Sequence, residues 1–292
     1  MAKSNPMKMN EDTPLTESVS GQSTRQSADP KPTPGPAKVS TIGRVRWVNE
    51  LNQALGEGLA NSQWMAALED DLMGSGKHIC LDIWPFIREL PDNIRSVQVK
   101  LPPSLEPARL FLSNLADEER HYQGLYLKQC ELAGLSSGAL LTIDQVASEA
   151  TLALVEAMSL SCVEGDVVEG VQAIVAAQLA AAHYTRAAKG PFERYFVQNA
   201  DQYAPGRIDE GLAWLRLHAK TNTRHALWMN RMLVGLDQEG ESPELPPTVK
   251  QILYRIFALW QVDAATLELW LPGTKPPEHQ SGCQAKLELK RT

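Results

Sequence analysis

From Val48 onward the apolar residues return every three or four positions, and no stretch of useful length alternates apolar with polar. That period belongs to helices with one buried face, whereas half-buried strands need a period of two. The pattern restricts the chain to an all-α fold. Val48, Leu51, Leu55 and Leu59 mark a first helix. Ile83, Phe86, Ile87 and Leu90 mark a second, with Pro85 expected in its first turn. Beyond Pro102 and Pro103 a long helix is expected from Pro107 to Ala133, closed by Gly134 in a left-handed cap. Thr142-Ile143-Asp144-Gln145 reads as the start of the next helix, which runs to Ser161. An Ala- and Val-rich helix follows from Asp166 to Lys189, with a break or kink at Gly190-Pro191. Asp209 to Leu236 and Pro246 to Leu271 supply the last two.

The pattern stops at both ends. Residues 1–40 carry Pro6, Pro14, Pro30, Pro32, Pro34 and Pro36 and no aromatic residue. Such a segment has too little apolar area to offset its ordering entropy, so a disordered tail is expected there. Residues 273–292 return to a polar composition and are expected to form a second, flexible tail, leaving 41–272 as the folded domain.

Charge narrows the function. With 28 basic and 35 acidic residues the net charge is −7, which disfavours a general nucleic-acid binder. No run approaches the ~18 apolar residues of a membrane span, and Met1 to Asn10 lacks the apolar core of a secretory signal. Cys80, Cys130, Cys162 and Cys283 are widely spaced, unlike a disulfide framework or a cysteine zinc site. A cytoplasmic protein with no membrane or nucleic-acid partner is the expectation.

The histidines carry the chemistry. His78 and His279 fall in loop-like or tail context, while His121, His183, His218 and His225 fall within expected helices. Glu118 stands three residues before His121, so the two share a helix face. His218, Asn222 and His225 lie on one stripe of another helix, flanked by Trp214, Leu215, Leu217 and Trp228. Buried there, they need partners: either a hydrogen-bonded polar seam, or a metal or substrate. Two imidazoles and a carboxylate with open positions suit non-haem ferrous iron, and Glu118, His121, His218 and His225 would supply such a set from two helices. Gly74-Ser75-Gly76-Lys77 lacks the spacing and the preceding strand of a phosphate loop.

The run from Phe111 to Glu119, followed by His121 and by Leu132-Ala133-Gly134-Leu135, resembles the haem-oxygenase-like non-haem iron oxidases. Arg88 to Asn93 is similar to the helix connection before that family's first motif, and the likeness spans roughly residues 44–236. It implies about seven helices around a central pocket, with no haem. Members include decarboxylating fatty-acid oxidases, amino-acid N-oxygenases and p-aminobenzoate-forming proteins. Glu118 and His121 match the family's Glu-to-His motif, and His218 and His225 match its His-x-x-x-Asp-x-x-His motif. Two carboxylates are replaced by amides: Asn222 stands for the Asp, and Gln178 is the best match to a Glu of the middle helix. An amide does not balance a cation's charge, which favours one ferrous ion over two. His183 is a possible substitute ligand, whereas Glu164 and Glu169 read as helix-start charges.

The resemblance implies an iron-dependent oxidoreductase acting with dioxygen on a small amino-acid- or fatty-acid-like substrate, in specialised biosynthesis, with a homodimer possible. Lys220 and Arg224 would meet a substrate carboxylate or remain exposed cations, and Trp214, Trp228, Trp260 and Trp270 would wall a pocket or pack as core. Two alternatives stand beside this. One is a metal-free member of the fold that binds a small molecule or a partner. The other is a cofactor-independent oxidase whose histidines act as acids and bases.

Overall fold

A computed structural model describes residues 45–136, 147–236 and 243–274, and these form helices with no strand. In chain order they are α1 (Arg46–Ala60), α2 (Gln63–Asp70), α3 (Leu72–Lys100), α4 (Glu106–Leu132), α5 (Glu149–Ser159), α6 (Val167–Gln198), α7 (Arg207–Gly235), α8 (Pro247–Trp260) and α9 (Ala264–Trp270). The expected tails, residues 1–40 and most of 273–292, lie outside the described residues, as does the helix start expected at Thr142 to Gln145. The described part of that region begins its helix later, with the Ser148 hydroxyl accepting the Thr151 N–H as an N-cap. No helix among the described residues is long and apolar enough to cross a membrane.

Helix α6 is the axis of the bundle. From Gly170 to Ala180 every residue is buried, the mark of a helix surrounded by others. It starts at a capping box in which the Asp166 carboxylate accepts the Val168 and Glu169 N–H groups and Glu169 accepts from the Asp166 N–H. Its alanines, among them Ala176, Ala177 and Ala180, are buried and short, so neighbouring helices approach closely. Helix α7 packs along α6 and α4, and α3 along α4. Gly211 is what lets α7 close on α4: a Cβ there would stand 2.5 Å from Leu132 Cδ2.

Three boundaries differ from expectation, each for a tertiary reason. Pro85 sits inside α3, not in its first turn, because the helix begins at Leu72 under an Asp71 cap and also takes in Pro91. Both prolines are buried, so packing outweighs the lost hydrogen bonds. Gly190-Pro191 does not end α6, which continues to Gln198 with Pro191, Phe192 and Phe196 buried. The last helix is two: Gln261 turns left-handed at φ 54°, and Asp263 caps α9 through the Ala265 and Thr266 N–H groups. Gly134 takes the expected left-handed cap, at φ 84°.

Candidate functional site

The face that α4 turns inward runs Leu112, Leu115, Ala116, Glu119, Tyr122, Tyr126 and Gln129, a three-and-four spacing that places one carboxylate in the core. Helix α7 answers with Leu212, Leu215, His218, His225 and Met229, all buried. Glu119 Oε1 accepts a 2.7 Å hydrogen bond from Gln178 Nε2 on α6. Its Oε2 lies 3.7 Å from His218 Nε2. His218 Nδ1 is 3.1 Å from the Trp214 carbonyl oxygen, which can only accept, so Nδ1 carries a hydrogen and Nε2 faces Glu119. The imidazole is held between the Trp214 ring at 4.4 Å and the edge of Tyr122 at 5.0 Å. Burial pushes the Glu119 carboxyl upward. The hydrogen bond and charge of His218, helped by Gln178 and His225, outweigh this and hold it below its ordinary value.

These three side chains are part of the lining of a cavity of about 60 Å³. Trp64, Phe86, Tyr184, Trp214 and Trp260 supply its aromatic walls, and aliphatic residues of α3, α5, α6 and α8 the rest. Three buried polar atoms of its lining residues have no hydrogen-bond partner among the described residues: Gln178 Oε1, Trp214 Nε1 and the Tyr184 hydroxyl.

A second pair lies nearby, in a different space. Glu118 Oε2 is 3.3 Å from His225 Nε2 and accepts a long 3.4 Å bond from the Tyr122 hydroxyl. This pair lines an outer groove with Leu110, Asn114, Phe111 and Trp228, the last two stacked at 5.7 Å. The Glu118 side chain is 36% exposed.

The sequence candidates are thus divided. Glu118 meets His225, while His218 meets Glu119 and Gln178. His121 is exposed, because it lies two residues, or ~200° of helix, from Glu119. His183 points the other way, to Asn52 Oδ1 of α1 at 3.0 Å, where burial and Arg186 lower its pKa. Asn222 lies in α7 but its side chain is outside the described residues, as is that of Arg224, and Lys220 is exposed. The resemblance implies iron, and the donors do not fit it: the Glu118, His121, His218 and His225 set does not converge. Among the described residues no three His, Cys, Asp or Glu side chains are grouped as a metal ion requires. Cys80, Cys130 and Cys162 are buried free thiols. Trp214 and Trp260 wall the hollow, whereas Trp228 stands in the outer groove and Trp270 donates to Glu57 at 2.9 Å.

Glu119 is the residue that sequence reasoning passes over. Its signal is present all the same: it lies on the Leu112, Leu115, Tyr122, Tyr126 stripe, while Glu118 lies at the edge of it. An acid on an apolar stripe is the informative exception to burial.

No protein-family model matches the sequence, and no curated protein matches it. Among solved structures the chain is similar to a TenA homologue from Pseudomonas syringae pv. tomato, at 14% identity and a TM-score of 0.56, covering 77% of this chain and 89% of that one. TenA belongs to the haem-oxygenase-like all-helical superfamily, and the described residues of this chain share that fold.

Proposed function

We propose that the protein binds a small, largely apolar molecule in the hollow and exchanges a proton with it through Glu119 and His218. One observation carries this reading: a buried carboxylate–imidazole pair lies in the lining of an aromatic-walled cavity. Pockets of this kind, mostly apolar with a few converging polar groups, are where ligands are oriented. Each member of the pair is itself fixed. The Trp214 carbonyl sets the tautomer of His218, and Gln178 holds one oxygen of Glu119. Glu119 Oε2 and His218 Nε2 face each other within that lining, and a proton can pass between them. Positioned acid–base groups of this type accelerate reactions by roughly 10²–10⁴. The fold likeness is analogy only, but a central pocket accords with it.

Metal-free acid–base chemistry suits these donors better than iron and dioxygen, since the carboxylates and imidazoles are paired with one another in two separate spaces. The test is to incubate the full chain with a cellular metabolite extract and follow depletion by mass spectrometry, without added metal. We expect a consumed metabolite, and its loss with His218→Asn while circular dichroism is unchanged. Consumption that needs ferrous iron, or wild-type consumption by His218→Asn, would overturn the reading.

A further inference from the structure

We infer that the cavity takes an uncharged molecule smaller than benzene and turns away ions of either sign; this rests on the cavity being the binding site. The charged and polar side chains of its lining already answer one another. Glu119 Oε1 accepts from Gln178 Nε2, and Oε2 faces His218 Nε2 at 3.7 Å. His218 Nδ1–H is committed to the Trp214 carbonyl. Gln178 Oε1, Trp214 Nε1 and the Tyr184 hydroxyl have no partner among the described residues, but all three are inaccessible to a water-sized contact. Among the described residues Glu119 is the only acid in the lining, and no lysine or arginine joins it. What a guest touches is therefore aromatic and aliphatic.

An ion entering such a space gives up its water and gains no counter-charge. A cation would have to part Glu119 from Gln178 or His218, and an anion would have to part His218 from Glu119. A neutral guest breaks neither contact and gains dispersion from the walls. The volume sets the second limit. An engineered apolar cavity of ~150 Å³ stays dry and binds benzene or xenon. The present cavity, at about 60 Å³, has room only for the smaller of such guests. Ala177 and Ala180 of α6 keep it open by being short, while Leu154 of α5 and Leu259 of α8 bound it. The amino-acid- or fatty-acid-like substrate that the sequence resemblance implies carries a charged group, and that group does not fit. Any charge on the guest has to arise inside the cavity, by the proton exchange proposed above.

The experiment titrates the full chain with xenon, benzene, methylammonium and acetate, and follows the indole N–H resonances of Trp64, Trp214 and Trp260 by NMR. Xenon should bind saturably, and methylammonium and acetate at least about tenfold more weakly. Ala180→Leu, which fills the space, should abolish xenon binding; if that variant does not fold, Ala177→Val should weaken it severalfold. Benzene should leave the wild type unperturbed and bind once Leu154→Ala enlarges the cavity, with Leu259→Ala as the second enlargement if the first does not fold. Methylammonium or acetate matching xenon overturns the exclusion of charge, and benzene binding to the wild type overturns the size limit; the cavity reading stands in both cases. If no probe binds, or if xenon binding ignores the filling variants, both fall.

Discussion

Helices α4 and α7 carry two carboxylate–imidazole pairs that are nearly identical in covalent terms and opposite in setting. Glu119–His218 and Glu118–His225 are offset by one residue on α4 and two turns on α7. The first is buried on both sides, braced by Gln178, and opens on an aromatic-walled hollow. The second has a buried imidazole but a carboxylate that water reaches, at the floor of an outer groove. One step along the helix, about 100°, separates an acid that must be paired from one that water can solvate. Dielectric setting, not residue type, makes one of these pairs a candidate for chemistry.

The largest effect should come from breaking the inner pair. His218→Leu leaves Glu119 buried without its partner, and should cost about 3–5 kcal/mol in urea denaturation. His225→Leu leaves Glu118 in contact with water, and should cost clearly less. Equal losses would abolish the distinction between the pairs.

Next in size is the close approach of α7 to α4 at Gly211. Gly211→Ala puts a Cβ 2.5 Å from Leu132 Cδ2 and should cost about 1–3 kcal/mol. Adding Leu132→Ala should bring a positive coupling in a double-mutant cycle, because the smaller side chain makes room for the methyl. Purely additive losses would show that this approach does not set the α4–α7 distance.

A smaller, pH-dependent effect separates the pairs again. The Glu119 carboxyl is held below its ordinary value of 4.5 in the folded protein, so the folded state binds fewer protons than the unfolded one. Its stabilising contribution is complete above pH 4.5 and is lost as pH falls through the lower, folded value. Glu119→Gln should accordingly flatten the acid limb of the stability curve, measured by thermal denaturation across pH. An unchanged limb would mean that Glu119 gains nothing from His218.

The smallest change is expected at Glu118→Gln, within about 1 kcal/mol of wild type by the same denaturation, since partly exposed ion pairs contribute little. A loss as large as that of His218→Leu would place the outer pair in the core's energetics after all.

Much of this arrangement is legible in the sequence. The spacing of Leu112, Leu115, Tyr122 and Tyr126 marks an inward stripe, and His218 and His225 stand on the matching stripe of α7. The resemblance to haem-oxygenase-like proteins carries the fold correctly. It also draws attention to Glu118 and His121, whose i, i+3 spacing shares a face but not the buried one. Pro85 reads locally as a first-turn residue and Pro191 as a break or kink, yet both lie inside helices, α3 and α6, that are packed along their length.

The all-α class and the main buried stripes follow from the sequence itself, because a period of 3.6 residues dictates which side chains share a face. Which of two adjacent glutamates becomes the buried one is a matter of about 100° of rotation, and that angle is set by what α4 packs against. Only the tertiary structure brings Gln178 of α6, Glu119 of α4 and His218 of α7 to within hydrogen-bonding and ion-pairing distance. Pairing across three helices depends on their relative placement, a long-range property that no spacing within one helix encodes.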